Sequence, residues 1–194
     1  MIYFDFGGVL VNYDDVFKGA CKKFGIDFSE ALEFYSQFDK DLAHGRMTTE
    51  EFWNKCVDHF SLNSLSDFDI ATSWVSDYQI ITPINTLVYE LEGKIEMGII
   101  SNINSGIWEA AYRDGWVPKI KYKEVYLSYK MGMTKPDRRI YEIIQKETGY
   151  GPEEIMFVDD QDKNLLIPKE MGWRTIHFDM RKAEEGAEKI RKYI

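Results

Sequence analysis

An aspartate near the N-terminus, Asp5, is the first side chain in this sequence that could take part in chemistry. Asp5 follows a short apolar run, Ile2 to Phe4, and precedes Gly7 and Gly8. An apolar run closed by glycines predicts a buried strand that ends in a tight turn. Such a strand would present Asp5 at its C-terminal edge, where open α/β sheets bind ligands. A carboxylate there could act in catalysis, or it could simply cap the next segment.

Three later stretches place further polar groups beside apolar or helical segments. Ile99-Ile100-Ser101-Asn102 ends in small polar residues, Lys135-Pro136-Asp137 precedes a helical pattern, and Ile155-Met-Phe-Val-Asp-Asp160 ends in two carboxylates. The ends of parallel strands share one edge of a sheet, so these polar groups are expected to share one crevice. The predicted crevice contains Asp5, Ser101, Lys135, Asp159 and Asp160.

With these four motifs in this order, the sequence resembles the haloacid dehalogenase (HAD) superfamily of phosphatases and related hydrolases. The motifs that carry the resemblance are Phe4-Asp-Phe-Gly-Gly-Val-Leu10, Ile100-Ser-Asn102, Lys135-Pro-Asp137 with Tyr141 after it, and Phe157-Val-Asp-Asp160 with Asn164 after it. The resemblance extends from residue 1 to about residue 179 and is weakest between 12 and 82. It is greatest to the subgroup that has a small helical cap inserted after the first motif.

The remaining pattern predicts the elements that position these motifs. Apolar residues at helical spacing predict an all-α block, with helices at about 15–24, 29–38 (capped by Ser29), 39–44, 52–60 (after a capping region at 48–51) and 66–75. Beyond residue 83, strands and helices alternate, which predicts right-handed βαβ units and a parallel sheet. The predicted strands are 95–100, 125–128, 155–158 and 174–178, and the predicted helices are 84–91, 107–112, 138–148, 164–171 and 181–193.

These elements together predict a fold of class α/β with an insertion. We expect a Rossmann-like parallel sheet flanked by helices, formed by residues 1–12 and 82–194, as the HAD-like core domain. We expect residues 13–81 to form an all-α helical-bundle cap domain that covers the crevice and excludes water.

Composition narrows the possible partners and location. Acidic residues outnumber basic ones by 33 to 24, and the net charge of −9 argues against a nucleic-acid-binding surface, which would need basic patches. The two cysteines, Cys21 and Cys56, lack metal-binding spacing and suggest a reducing compartment. No apolar run approaches the roughly 20 residues that a membrane span needs. We therefore expect a cytoplasmic protein that binds neither nucleic acid nor membrane.

Asp5 is the candidate nucleophile, because a carboxylate can attack phosphorus and form an aspartyl-phosphate that water then hydrolyses. Mg²⁺ is the expected cofactor, since it binds oxygen ligands and neutralises the charges brought together. The resemblance implies that Asp5, Asp160 and the backbone carbonyl of Gly7 bind this metal. Asp159 is expected beside it, orienting Lys135 or a metal-bound water.

The resemblance also implies how the substrate binds. The side chain of Ser101 and the backbone of Asn102 would hydrogen-bond phosphate oxygens. Lys135 would bind the phosphate and keep Asp5 ionised. Substrate specificity is expected to reside in the cap, where Arg46 and His44 flank a glycine on a loop that either faces the crevice or is simply solvated. Trp74 and Tyr78 are further candidates in the same block.

One departure from the family pattern leaves alternatives open. Phosphatases of this superfamily usually carry a second aspartate two residues after the nucleophile as general acid and base, and here that position is Gly7. Either the protein is a weak phosphatase, or its substrate has a good leaving group, or another residue such as Asp14, or His44 or Arg46 from the cap, takes over the proton transfer. We predict a Mg²⁺-dependent phosphatase for a small phosphorylated metabolite, with a sugar phosphate as the narrower candidate. The first alternative is a weak or inactive HAD-like binding protein. The second is a haloacid dehalogenase-type hydrolase, in which the adjacent carboxylates Asp159 and Asp160 would repel Asp5 without a cation.

Overall fold

The computed structural model describes residues 1–62 and 68–194, which form strands and helices in two blocks. The first block contains β1 (Ile2–Phe4), β2 (Val11–Asn12), α1 (Val16–Phe24), α2 (Phe28–Ser36), α3 (Asp39–Ala43), α4 (Thr49–His59), α5 (Ile70–Val75) and β3 (Gln79–Ile80). The second block contains α6 (Thr82–Leu91), β4 (Met97–Ser101), α7 (Ile107–Asp114), β5 (Glu124–Leu127), α8 (Ser128–Met131), α9 (Arg138–Thr148), β6 (Met156–Asp159), α10 (Asp162–Glu170), β7 (Arg174–His177) and α11 (Ala183–Arg191).

Five parallel strands form the central sheet, in the order β5-β4-β1-β6-β7. Strand β1 lies in the middle, with Ile2 opposite both Met97 of β4 and Met156 of β6. The order of strands requires crossovers on either side of β1, which helices provide. The sheet confirms the α/β fold with a parallel sheet that the sequence predicted.

Alternating side chains of the strands enter two separate hydrophobic clusters, one on each face of the sheet. Ile2 and Phe4 pack into the cluster that contains residues of α6, α7 and α11. Tyr3 points to the other face and packs with Ile140 and Ile144 of α9. Successive residues of a strand point to opposite faces, so a buried parallel strand is apolar throughout.

A two-stranded antiparallel ribbon connects the inserted helices to the sheet. Val11 of β2 pairs with Ile80 of β3, and Asn12 pairs with Gln79. Helices α1 to α5 lie between these two strands in the chain. Sequence analysis did not predict the ribbon, because strands of two residues are too short to show a hydrophobic period.

Several helix ends differ from the predictions. Asp27, rather than Ser29, caps α2, and its carboxylate accepts hydrogen bonds from the backbone N–H groups of Ser29 and Glu30. The predicted helix at 66–75 is observed from Ile70 onward, and residues 63–67 lie outside the described part of the chain. The strand predicted to end at Ser128 ends one residue earlier, and Ser128 begins α8.

Pro168 lies inside α10 without ending it. A proline cannot donate a hydrogen bond to the carbonyl four residues earlier, which here is the carbonyl of Asn164. The hydroxyl of Tyr141 donates to that carbonyl at 2.8 Å instead. The fully buried Tyr141 therefore replaces the bond that Pro168 removes from the helix.

The described helices are also short. None of them combines the length and apolar composition that crossing a bilayer would require.

Candidate active site

The C-terminal edge of the sheet gathers polar residues from three neighbouring strands. Asp5 follows β1 directly, Ser101 ends β4 and Asp159 ends β6. The backbone N–H of Asp5 donates to the carbonyl of Val158 at 2.9 Å, which ties the residue to the adjacent strand. Asp5, Ser101 and Asp159 are all buried, although their side chains are polar. Buried polar groups of this kind need partners, and the site supplies them.

Lys135 is the central cation of the site. Its Nζ lies 2.7 Å from Oδ2 of Asp5 and 2.6 Å from Oδ2 of Asp159, and its side chain is 1% exposed. The same nitrogen donates to the backbone carbonyl of Ile100 at 2.9 Å. Burial by itself would lower the pKa of Lys135, but the carboxylates of Asp5 and Asp159 outweigh it and raise that pKa. Lys135 therefore stays charged.

Asn102 holds the backbone of Lys135 in place. The backbone N–H of Lys135 donates to Oδ1 of Asn102 at 2.8 Å, and Nδ2 of Asn102 donates to the carbonyl of Lys135 at 3.0 Å. The amide side chain thus pairs with both polar groups of one residue. Its position on the loop after β4 connects the second motif to the third.

The ionisation of Asp5 depends on the charges around it. Burial raises the pKa of Asp5 to about 7, Lys135 opposes the shift, and the charge of Asp159 adds to it. The Ser101 side chain also favours the ionised form of Asp5. A further cation beside Asp5 would hold the carboxylate in the ionised form that a nucleophile needs.

The carboxylates of the site form a group that suits such a cation. One oxygen each of Asp5, Asp159 and Asp160 lies within 4.8 Å of the others. Asp159 is already bonded, because it accepts from Lys135, from the backbone N–H of Gln161 and from Nδ2 of Asn164. Oδ1 of Asp160, in contrast, is buried without a hydrogen-bond partner in the described residues.

That unpartnered oxygen supports Mg²⁺, a hard cation that binds oxygen ligands and uses few carboxylates. Asp5 and Asp160 are the carboxylates in position to hold it, and the carbonyl of Gly7 is the proposed third ligand. Burial and the charge of Asp159 raise the pKa of Asp160, which a bound cation would reverse. Gly8 makes room for Asp160, because a Cβ there would lie 2.5 Å from its carboxylate.

A cavity of about 250 Å³ opens above the nucleophile. The inserted helices contribute Tyr35 and Trp74 to its wall, and Tyr78 reaches it from beside β3. The other lining residues come from the sheet edge, from loops beside it and from the first turns of α7 and α10: Asp5, Phe6, Gly7, Tyr13, Ser101, Asn102, Ile103, Asn104, Ile107, Lys135, Gln161 and Asn164. The cavity is therefore closed on one side by aromatic rings and on the other by the polar site.

The cap residues singled out from the sequence separate into two groups. Trp74 and Tyr78 line the cavity. Arg46 does not, since its side chain is 56% exposed and its Nε lies 2.7 Å from Oδ1 of Asp41. His44 contacts the carbonyl of Lys40 through Nδ1 at 2.6 Å and is likewise not among the lining residues. The structure thus does not place Arg46 where it would bind substrate, because its guanidinium pairs with Asp41 on the protein surface.

Tyr13 is one of the residues of the site that sequence analysis did not single out. A Cβ built on Gly7 would lie 2.6 Å from Cε1 of Tyr13, so the ring packs directly over that glycine. Partial burial, followed by the charge of Asp160, raises the pKa of Tyr13 to about 12, and the phenol is protonated at neutral pH. The only signal in the sequence was its place directly after Asn12, at the end of β2.

Comparisons with known proteins identify enzymes that this chain resembles in sequence and in fold. No protein-family model matches the sequence. The chain is 30% identical over 185 residues to the D-ribitol-5-phosphate phosphatase of Bacteroides thetaiotaomicron, a match that covers 90% of this chain and 89% of that protein. It is similar, at 26% identity and a TM-score of 0.75, to a HAD family enzyme from the same organism determined in complex with magnesium and inorganic phosphate. That match covers 90% of this chain and 91% of the other.

A third similarity concerns the fold alone. A predicted HAD-like family hydrolase from Porphyromonas gingivalis has a TM-score of 0.76 at 22% identity, and the match covers 100% of this chain and 97% of the other. The inserted helices as well as the sheet are therefore included in the similarity.

Proposed function

Because the chain belongs to the haloacid dehalogenase (HAD) superfamily and is a Mg²⁺-dependent phosphatase, we propose that Asp5 is its nucleophile and that it acts on a small phosphorylated metabolite such as a sugar phosphate. The observation that carries the proposal is the contact of Lys135 with Asp5 and Asp159 beneath a small cavity. A buried carboxylate beside a fixed ammonium can accept a phosphoryl group and retain a counter-charge for it.

The proposed reaction has two steps. An oxygen of Asp5 attacks phosphorus, the bond between phosphorus and the leaving oxygen breaks, and an aspartyl-phosphate forms. Water then attacks this phosphorus, which releases inorganic phosphate and restores the carboxylate. Lys135 and Ser101 bind phosphate oxygens during both steps, and Asp159 keeps Lys135 oriented. Bound Mg²⁺ supplies positive charge that offsets the repulsion between Asp5 and the phosphoryl group.

The size and lining of the cavity support a small substrate. A volume of about 250 Å³ is slightly below the range of roughly 300–1,000 Å³ found for ligand sites. Asn104 and Gln161 provide amide groups there that can bond hydroxyls of a sugar or polyol. The relative that acts on D-ribitol 5-phosphate supports the same substrate class.

The test is hydrolysis of 4-nitrophenyl phosphate by the purified protein, with Mg²⁺ and after its removal by a chelator. We expect turnover that requires Mg²⁺ and that Asp5→Asn abolishes, because an amide cannot attack phosphorus as a carboxylate does. Asp58→Asn is the matched control, since Asp58 is exposed on α4. Full activity in Asp5→Asn would refute the assignment of the nucleophile.

A halide-release assay with a 2-haloacid addresses the dehalogenase alternative. That reaction also begins with a carboxylate nucleophile. Here, however, the carboxylates of Asp159 and Asp160 lie close to Asp5. Carboxylates so close together favour a reaction in which a cation is bound. We therefore expect no halide release under conditions in which the aryl phosphate is hydrolysed.

A further inference from the structure

The side of the cavity that faces the inserted helices is lined by neutral side chains. Tyr35 and Trp74 come from those helices, and Asn104 comes from the loop that follows β4. Asn104 is three residues after Ser101, so their Cα atoms are at most about 11 Å apart. A small substrate whose phosphate lies beside Ser101 can therefore reach Asn104 with its other end.

Aromatic contacts hold the ring of Tyr35 in place. Its centroid lies 5.7 Å from that of Phe17 in α1 and 5.6 Å from that of Phe52 in α4, both in edge-to-face geometry. Burial raises the pKa of the Tyr35 phenol, and the side chain of Asn104 beside it opposes part of the rise. The phenol is therefore uncharged at neutral pH, and Tyr35 and Asn104 present two neighbouring polar groups to the cavity.

A phenol and an amide together suit a hydroxyl group of a substrate. The hydroxyl of Tyr35 can donate one hydrogen bond and accept others, and the amide of Asn104 has both donors and an acceptor. A substrate hydroxyl, which also donates and accepts, can bond to both groups. Neither group carries a charge, so neither can neutralise a carboxylate or a second phosphate.

Positive charge is missing from this side of the cavity. Among the lining residues in the described ranges, Lys135 is the one cation, and it already contacts Asp5. His44 and Arg46, the cap residues that could have met a second anion, are not among those lining residues. Residues 63–67, outside the described ranges, include no lysine, arginine or histidine. A second anion on the substrate would thus enter the cavity without a counter-charge, which is unfavourable.

On the basis of the proposed function, we propose that Tyr35 and Asn104 are specificity-determining residues that bind a hydroxyl group of the substrate. The pair restricts the enzyme to phosphate monoesters whose remaining part is hydroxylated and uncharged. Phosphorylated carboxylic acids and bisphosphates are poor substrates, because their second anion finds no partner beside Tyr35 and Asn104.

Glycerol 3-phosphate and 3-phosphoglycerate, both as racemates, make a matched pair for the test. They have the same chain length and the same kind of leaving oxygen, but the first ends in a hydroxymethyl group and the second in a carboxylate. At saturating Mg²⁺ we expect kcat/KM for glycerol 3-phosphate to be higher by about 10²-fold or more, because the second charge is unpaired in the cavity. Similar kcat/KM values for the two compounds would overturn the inference.

Asn104→Lys adds a cation to the wall and should weaken this preference. We expect the ratio of the two kcat/KM values to fall by about 10-fold or more, because the new ammonium can pair with the carboxylate of 3-phosphoglycerate. Partial unfolding would lower the activity toward both substrates equally and would leave the ratio unchanged. An unchanged ratio in a folded Asn104→Lys protein would contradict the role of Asn104.

Tyr35→Phe removes the hydroxyl and keeps the ring. We expect kcat/KM for glycerol 3-phosphate to fall about 3- to 10-fold relative to that for 4-nitrophenyl phosphate, which has no hydroxyl to bind. Tyr112→Phe is the matched control, because Tyr112 is 43% exposed on α7 and is not among the lining residues. Equal losses with both substrates in Tyr35→Phe would show that the hydroxyl supports the fold, and would overturn its assignment.

The wild-type comparison stands even where a variant does not fold. Hydrolysis of 4-nitrophenyl phosphate without hydrolysis of glycerol 3-phosphate would overturn the inference and leave the proposed nucleophile and metal dependence intact. Failure of the proposed function looks different, because 4-nitrophenyl phosphate would then not be hydrolysed in a manner that depends on Asp5 and Mg²⁺.

Discussion

The ammonium of Lys135 and the carboxylate of Asp159 lie 2.6 Å apart, and both side chains are shielded almost completely from solvent. A second carboxylate, that of Asp5, contacts the same nitrogen at 2.7 Å. One cation thus contacts two carboxylates in a buried site, and one negative charge is left without a neutralising partner. This imbalance explains why a further cation suits the site, and it leads to the predictions below.

Replacing Lys135 with methionine should destabilise the metal-free protein strongly. Removal of one partner from a buried ion pair costs about 3–5 kcal/mol, because the remaining charge stays buried without compensation. We expect kcat/KM to fall by about 10²-fold or more as well, since the phosphate loses a fixed positive group. Urea unfolding and steady-state kinetics measure both effects.

Lys130→Met is the control for that experiment. The Nζ of Lys130 contacts Glu109 at 3.1 Å, but the lysine side chain is 56% exposed. Water screens such a pair, so its loss should change stability little. Equal destabilisation by the two substitutions would contradict the central role of Lys135.

Asp160→Asn should weaken Mg²⁺ binding while leaving the fold intact. Groups that merely orient metal ligands change affinity 10- to 100-fold when mutated, so loss of a direct carboxylate ligand should cost at least about that much. Isothermal titration with Mg²⁺ measures the change. Asp162→Asn is the matched control, because the Asp162 side chain is 80% exposed. An unchanged Mg²⁺ dissociation constant in Asp160→Asn would exclude Asp160 as a ligand.

Gly8→Ala should disturb the metal site through a direct collision. Gly8 has a φ of +76°, and an added Cβ would lie 2.5 Å from the Asp160 carboxylate. Gly25→Ala provides a control with the same backbone penalty, since Gly25 has a φ of +68° and nothing within 4 Å of its added Cβ. The left-handed backbone should cost each variant about 1–2 kcal/mol of stability, and the collision adds to that loss in Gly8→Ala.

The two glycine variants should differ in Mg²⁺ affinity. Only Gly8→Ala is expected to reduce it, because only there must the Asp160 carboxylate move. Mg²⁺ titration of both variants, alongside urea unfolding, separates this effect from the backbone penalty. Similar Mg²⁺ affinities for the two would indicate that Gly8 serves the turn alone.

Tyr141→Phe should destabilise the protein by about 1–3 kcal/mol. Its hydroxyl donates to the carbonyl of Asn164, which Pro168 leaves without an intrahelical donor, and removal would leave that carbonyl buried and unpaired. Tyr122→Phe is the reverse case, since the hydroxyl of Tyr122 is buried without a partner among residues 1–62 and 68–194. Its removal should be neutral or stabilising in thermal unfolding, and a loss in Tyr122→Phe as large as that in Tyr141→Phe would contradict this explanation.

Local sequence patterns were sufficient to predict most of the sheet. The apolar runs that end at Ser101 and Asp159 are observed as β4 and β6, because a parallel strand buried on both faces is apolar along its whole length. The helix predicted at 138–148 has the same bounds in the structure, since Asp137 caps it and Gly149 ends it. Both signals depend on residues that are close in the chain.

The ribbon of β2 and β3 could not be predicted in this way. Val11 and Ile80 are 69 positions apart and pair through backbone groups. Backbone pairing is the same for every residue type, so the sequence pattern does not indicate which two segments pair. The position of Arg46 was equally open, because a loop sequence does not reveal the direction of a long side chain. The structure directs it to Asp41 on the surface.

The sequence by itself determined that carboxylates and a serine follow strands of a parallel sheet and that a lysine precedes a helix, since hydrophobic runs and turn residues specify where these elements begin and end. It left open which group Asp159 would contact. Only the tertiary structure decided that Asp159 meets Lys135 and that an oxygen of Asp160 stays unpartnered, because adjacent residues at a strand end point in different directions. Packing also decided that Tyr13 covers Gly7, a contact made by the path of a turn in space, which the residue types alone do not specify.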